Sequence, residues 1–152
     1  MRRALPADAE AACAALRRSI TECCTLDHRG DEAILEAWLA TKTPDTVRGW
    51  FQRTNDHSVV AELNGEVVGV AALLAAGVVA LCYLAPEAHH QGLGTRMLTA
   101  LEEEARRRGL TELTLTSTRT GLPFYLRNGY VDEGTTQTHL GLAARAMRKR
   151  LV

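Results

Sequence analysis

The apolar positions of this chain change spacing part-way along it. Up to residue 53 they recur three and four residues apart, the period of a helix with one buried face. Ala12, Ala15, Leu16 and Ile20 form the first such stripe, preceded by Asp8 as a capping residue and Glu10 in the first turn. Ile34, Leu35, Trp38 and Leu39 predict a second helix over 31–40, and Val47, Trp50 and Phe51 a short third over 44–53. Residues 1–5 precede these as a short strand. Between the first two helices, residues 21–30 break the pattern and gather Glu22, Cys23, Cys24, Thr25, Asp27 and His28 in a polar connection.

Beyond residue 53 the pattern becomes that of strands. Runs at 58–63 and 66–74 flank Asn64-Gly65, a pair that supplies the two positive φ angles of a tight hairpin turn. A second turn at 75–77 leads to an apolar strand at 78–84, which Pro86 ends because it cannot donate to a ladder. The helical period then returns over 92–108, with Leu93, Met97, Leu98, Leu101 and Ala105 on one face. Glu102, Glu103 and Glu104 each stand four residues before an arginine, which predicts a solvated face of ion pairs worth about 0.2–0.5 kcal/mol each. Gly109 is placed to end that helix. A strand at 110–116, a short helix at 120–128 stopped by Asn128-Gly129, a strand at 130–139 made irregular by Gly134, and a last strand at 145–151 complete the reading. The order is helices, then an antiparallel meander, then a helical crossover into further strands.

Composition narrows the class. The chain has 152 residues, 46% hydrophobic and 24% charged, which suits one globular domain spanning 1–152. Eighteen acidic and eighteen basic residues balance, so no global field draws the chain to nucleic acid or an anionic membrane. Cys13, Cys23, Cys24 and Cys82 form no regular framework and no apolar stretch has signal length, so a reduced, cytoplasmic protein is expected. Metal binding by Cys23, Cys24 and His28 is weakly supported, since adjacent cysteines chelate poorly and no second ligand pair stands nearby; no metal is expected.

The stretch His89-His90-Gln91-Gly92-Leu93-Gly94-Thr95-Arg96 carries the first chemical signal. It lies between a strand and a helix start, where glycines permit close backbone approach and unpaired, positively polarised amides favour an anion. A tight turn with no ligand fits these residues equally well. A dinucleotide fingerprint would need a third glycine where Met97 stands, and a phosphate loop of the Gly-Lys-Ser/Thr type is missing.

Three separated segments, taken together, are more specific. The strand Leu81-Cys82-Tyr83-Leu84-Ala85-Pro86, the loop Gln91-Gly92-Leu93-Gly94, and Pro123-Phe124-Tyr125-Leu126-Arg127-Asn128-Gly129-Tyr130 resemble GNAT-type N-acetyltransferases across nearly the whole chain. The resemblance implies an α+β fold of three layers, α/β/α, with a mixed, mostly antiparallel central sheet splayed between strands 4 and 5. It implies acetyl-CoA as the acyl donor. Leu84 and Ala85 would pair their backbone with the pantetheine arm. The amides of Gln91, Gly92, Leu93, Gly94 and Thr95 would cradle the pyrophosphate, helped by the Thr95 hydroxyl and Arg96. His89 departs from the Gln/Arg that opens the family's loop pattern; His89 and His90 could add charge near phosphates, or be plain exposed loop residues.

In the family pattern Tyr125 stands where the general acid does, and a phenol near pKa ~10 is matched to a leaving thiolate near ~8.5. Read without the resemblance, Tyr125 packs on the core beside Phe124 and Leu126. No acid stands on the fourth strand to take the amine proton. Glu22, Asp27 and Glu62 qualify by residue type, and a water relay is an equal alternative; Cys82 reads as a small strand hydrophobe. The expected reaction is direct transfer of acetyl to a primary amine of a small molecule or protein. Glu22 and Asp27 hint at a cationic acceptor. A homodimer using the final strand is a further expectation. A non-catalytic acyl-CoA-binding module and a nucleotide-binding enzyme are the rival readings.

Overall fold

The computed structural model describes residues 1–151. The helices come first, as the apolar spacing predicts. After β1 (Arg2–Arg3), α1 spans Ala9–Cys23, α2 is the single turn Thr25–His28, α3 is Glu32–Leu39 and α4 is Pro44–Phe51. Asp31 caps α3, its carboxylate accepting from the amides of Ala33 at 2.9 Å and Ile34 at 3.2 Å, and the Thr43 hydroxyl caps α4 through Thr46 N. Asp8 departs from its predicted role. A 3₁₀ turn at Pro6–Asp8 carries its carboxylate away from α1, where it receives two 2.7 Å bonds from the Arg2 guanidinium and one from Leu5 N.

The strand half follows as β2 (His57–Leu63), β3 (Glu66–Leu73), β4 (Val79–Leu84), α5 (Leu93–Arg107), β5 (Glu112–Ser117), α6 (Leu122–Arg127), β6 (Val131–Gln137) and β7 (Ala143–Arg150). Asn64 and Gly65 adopt φ of 54° and 82°, as the hairpin turn requires. One antiparallel sheet runs β1-β2-β3-β4 and a second runs β5-β7-β6. They meet at a single parallel bridge, Val78 to Thr114, where Thr114 N donates to Gly77 O at 3.0 Å. Past that bridge β4 and β5 share no ladder, which is the predicted splay. Gly134, at φ 126°, marks a bulge in β6. Both edges of β7 are paired, so the final strand offers no free edge for a strand-to-strand contact between copies.

Helices cover both faces of the first sheet. Val60 and Val70 pack with Ala12, Leu16, Ile20, Trp38 and Val47 of α1, α3 and α4. Val59, Ala61 and Leu73 pack on Met97, Leu98, Leu101 and Ala105 of α5, a core that continues to Leu113, Leu115 and Met147 in the second sheet. Each fully buried leucine or methionine contributes about 1.5–3 kcal/mol. Gly69 lets α5 approach: a Cβ there would stand 2.6 Å from Leu84 Cδ2 and 3.2 Å from Met97 Cε.

The acidic run on α5 is not wholly solvated. Helical rotation of 100° per residue sets Glu102 beside Leu98, Leu101 and Ala105, and it is buried. Its carboxylate accepts from Lys149 Nζ at 2.9 Å and from the Tyr130 hydroxyl at 3.4 Å, while Lys149 also donates to Asn128 O at 2.8 Å. This network ties α5 to β7 and to the turn after α6. Of the predicted pairs only Glu104 with Arg108 forms, and it is partly buried; Glu104 also pairs with Arg107, three residues on.

Candidate active site

The gap between β4 and β5 holds a cavity of about 500 Å³ that extends to the N-terminus of α5 and to α6. Leu84, His90, Gly92, Leu93, Gly94, Thr95 and Tyr125 line it, so seven of the residues singled out in the sequence come together. Ala85, Gln91 and Arg96 do not line it. The Ala85 amide donates to Val68 O at 2.7 Å and its carbonyl accepts from Ala88 N at 3.0 Å, so both main-chain groups are already used. Gln91 turns its side chain back onto Glu87 O, and Arg96 is exposed.

The loop before α5 is built from left-handed backbone. His90 has φ 62° and Gly92 φ 76°, and Gly92 is the cap residue. A Cβ at Gly92 would meet open space, so glycine is required there by conformation. Gly94 has a different reason: a Cβ would lie 2.9 Å from Phe124 Cε1, so its bareness admits the α6 ring. The spacing alone does not distinguish a glycine kept for ligand approach from one kept for packing. Arg96 N bonds Gly92 O at 3.1 Å, leaving the preceding first-turn amides outside the helical ladder and directed outward.

Tyr125 is 9% exposed, with its ring edge-to-face against Phe124 at 5.2 Å and Tyr130 at 5.7 Å. Gly121 carries the α6 turn, accepting from Tyr125 N at 3.1 Å. The Tyr125 hydroxyl makes no hydrogen bond among the described residues. Burial pushes the phenol well above its ordinary pKa, with nearby Cys82 and Tyr83 adding to the effect. It is therefore protonated throughout the neutral range.

His89, the departure from the loop pattern, is half-buried in the cavity wall. Its Nε2 lies 3.1 Å from Leu84 O and 3.6 Å from Cys23 Sγ. A carbonyl only accepts, so the imidazole carries its proton on Nε2. The ring thus occupies the carbonyl at the end of β4. Nothing in the sequence separates this contact from an exposed loop histidine. Arg127, Thr118 and Thr120 also line the cavity and were not singled out.

Residues 21–30 are more ordered than a solvated connection. Cys23 and Cys24 face the cavity, whereas Asp27 is buried, accepting from Arg119 N at 2.7 Å and the Thr120 hydroxyl at 2.6 Å. It pins α2 to the segment before α6. His28 is also satisfied, with Nε2 3.0 Å from Thr21 O and Nδ1 accepting from Gly30 N. Glu22 pairs with Arg18, and Glu62 with Arg2. None of the three carboxylates proposed as bases lines the cavity. Burial pushes the Cys24 and Cys82 thiols up to about 12, which makes both poor nucleophiles. No group of three potential metal ligands occurs among the described residues, and no helix there is long and apolar enough to cross a membrane.

A family model described as an acetyltransferase (GNAT) domain matches residues 24–151. The chain belongs to the GNAT acetyltransferase family. Solved structures of the family have the same fold. A GCN5-related N-acetyltransferase from Rhodopseudomonas palustris is 27% identical with a TM-score of 0.86, the match covering 99% of this chain and 94% of that one. The paiA N-acetyltransferase from Thermoplasma acidophilum, solved with coenzyme A, is 20% identical with a TM-score of 0.79 over 98% and 96%. The yncA putative acetyltransferase from Salmonella typhimurium, solved with acetyl-CoA, is 20% identical with a TM-score of 0.72 over 99% and 92%. No curated protein sequence matches significantly. Membership makes this an acetyltransferase-family domain.

Proposed function

We propose that this GNAT domain transfers acetyl from acetyl-CoA directly to a primary amine of a small molecule or protein. The observation that carries the reading is the Tyr125 hydroxyl, unpartnered among the described residues, in a cavity that reaches from the α5 N-terminus to the β4–β5 gap. Two related structures are solved with coenzyme A or acetyl-CoA, which supports the choice of donor.

The residues present fit such a donor. The amides of Gly92, Leu93, Gly94 and Thr95 offer an anion cradle at the start of a 15-residue helix, with the Thr95 hydroxyl beside them and His90 and Arg127 in the same wall. The exposed strand end at Leu84 suits a pantetheine chain, although His89 would have to yield the Leu84 carbonyl. Ala85 contributes position only. Gln91 and Arg96 would reach phosphates only by changing rotamer.

Acetyl-CoA supplies an acyl group activated as a thioester, whose sulfur departs as a thiolate. Tyr125 holds its proton at the hydroxyl oxygen and donates it toward that sulfur. The amine must arrive with a free lone pair, and its surplus proton leaves through water, because among the described residues no carboxylate lines the cavity.

The test is ligand binding followed by transfer. Coenzyme A at a hundredfold excess over its Kd adds about 2.7 kcal/mol and raises Tm by roughly 5–10 °C, with no such rise from NAD or ATP. Thiol release dependent on an added amine then establishes turnover. Stabilisation by NAD or ATP in place of CoA would overturn the reading, and CoA binding without transfer to any amine would indicate a binding module.

A further inference from the structure

A second cavity, of about 400 Å³, lies on the opposite side of the same gap. Ala80, Leu81, Tyr83, Thr116 and Thr118 border both cavities, so the two meet between β4 and β5. One side of it is aromatic, where Trp38 of α3 and Trp50 of α4 close it against Tyr83 of β4, and Gln137, Thr138 and His139 line another. The two tryptophans read in the sequence as core residues of their helices. The fold instead gives Trp50 a half-buried face on this cavity.

The charges around it are asymmetric. Lys42 and Arg53 line the cavity with one carboxylate, Asp56. Asp56 is engaged, 3.6 Å from Arg53 and accepting from Ala75 N at 3.1 Å. Lys42 has no acidic partner among the described residues; its Nζ donates to Thr41 Oγ1 at 3.2 Å and lies 5.8 Å from the Trp50 ring centre. Partial burial lowers its pKa, so its charge gains from a bound anion. Glu22 and Asp27, the residues that hinted at a cationic acceptor, line neither cavity, because one faces solvent with Arg18 and the other binds the backbone before α6.

Resting on the acetyltransferase reading above, we infer that the acceptor is an amine bearing a carboxylate and an apolar or aromatic body, of the hydrophobic amino-acid type, and not a polyamine or aminoglycoside. The aromatic walls take the apolar body, and Lys42, whose charge has no acidic partner among the described residues, takes the carboxylate, with Arg53 shared with Asp56 beside it. The unpaired Lys42 charge favours the neutral form of the amine, which is the form with a lone pair to attack. A polycation would meet the repulsion of Lys42 with Asp56 already engaged.

The experiment compares amines that differ only in the carboxylate. L-phenylalanine against phenethylamine, and L-leucine against isopentylamine, are offered with acetyl-CoA, alongside spermidine and kanamycin, and kcat/KM is read from thiol release with the product confirmed by mass. Each amino acid should exceed its decarboxylated partner by about tenfold or more, the worth of a charge-assisted contact. Lys42→Met should collapse that ratio, and Lys42→Arg should keep most of it. Equal rates within each pair, or preference for spermidine or kanamycin, would overturn the inference while leaving the transferase reading intact. If no amine is acetylated although CoA binds, the transferase reading falls. Calorimetric titration of the same pairs into the CoA-saturated protein then decides the cavity's class: tighter binding of the amino acids supports it, and equal or weaker binding overturns it.

Discussion

Replacing Tyr125 by phenylalanine separates chemistry from packing, because the proposed donor role belongs to the hydroxyl and the packing to the ring. The ring packs between Phe124 and Tyr130, and phenylalanine preserves those contacts. The hydroxyl has no partner among the described residues and opens on the cavity, where water can solvate it, so no buried orphan is relieved by its removal. Tyr125→Phe should therefore melt within about 2–4 °C of the parent, the span of about 1 kcal/mol. A positioned general acid contributes about 10²–10⁴ in rate, or roughly 2.7–5.4 kcal/mol at 1.36 kcal/mol per decade. The assay is steady-state thiol release with the best acceptor, read beside a thermal melt. Because burial holds the phenol well above 10, its donor form persists across neutral pH, and no loss of kcat assignable to Tyr125 should appear below about pH 10. A variant with kcat within threefold of the parent would refute the donor role. A melt several degrees lower would refute the claim that the hydroxyl is structurally idle.

Gly94→Ala drives a Cβ to 2.9 Å from the Phe124 ring and should cost about 1–3 kcal/mol by urea denaturation, with weakened CoA binding because α5 and α6 must separate. Glu102→Leu leaves Lys149 without its acid; since a quarter of that lysine side chain is exposed, the loss should be about 2 kcal/mol, below the roughly 3–5 of a fully buried pair, and adding Lys149→Met should restore much of it. Arg107 and Arg108 hold the Glu104 carboxyl down at about 2; a depressed folded-state pKa stabilises the protein above the unfolded value and loses that effect as pH falls, so the Tm difference between parent and Glu104→Gln should be full above pH ~4.5 and close by pH ~2. The four free thiols all have raised pKa values, and iodoacetamide at pH 8 should label them slowly in the folded protein and rapidly in urea.

Most of the elements and their order were legible in the sequence, the exceptions being the single turn α2 and the 3₁₀ turns at Pro6–Asp8 and Pro86–Ala88, which carry no apolar stripe. Helical spacing of Ala12, Leu16 and Ile20, the Asn64-Gly65 turn, Pro86 at a strand end and the stripe from Leu93 to Ala105 are local signals, because propensity and period act within one turn or one ladder. The glycine loop was legible from its place between a strand and a helix start, whereas the role expected of Tyr125 came only from the resemblance to the GNAT family. What depends on groups far apart in the chain was decided only by the tertiary structure. Glu102 reads as a surface acid until β7 brings Lys149 to it, 47 residues on. Asp27 reads as a free carboxylate until the amides of Arg119 and Thr120 claim it. Ala85 reads as an available strand end until Val68 takes its amide, and Gly94 as a ligand glycine until Phe124 fills its space. The second cavity, walled by α3, α4 and the β4–β5 gap, has no footprint in any single stretch. Backbone and side-chain polar groups must find partners when buried, and which partners they find is set by packing between elements, not by the spacing of residues along one.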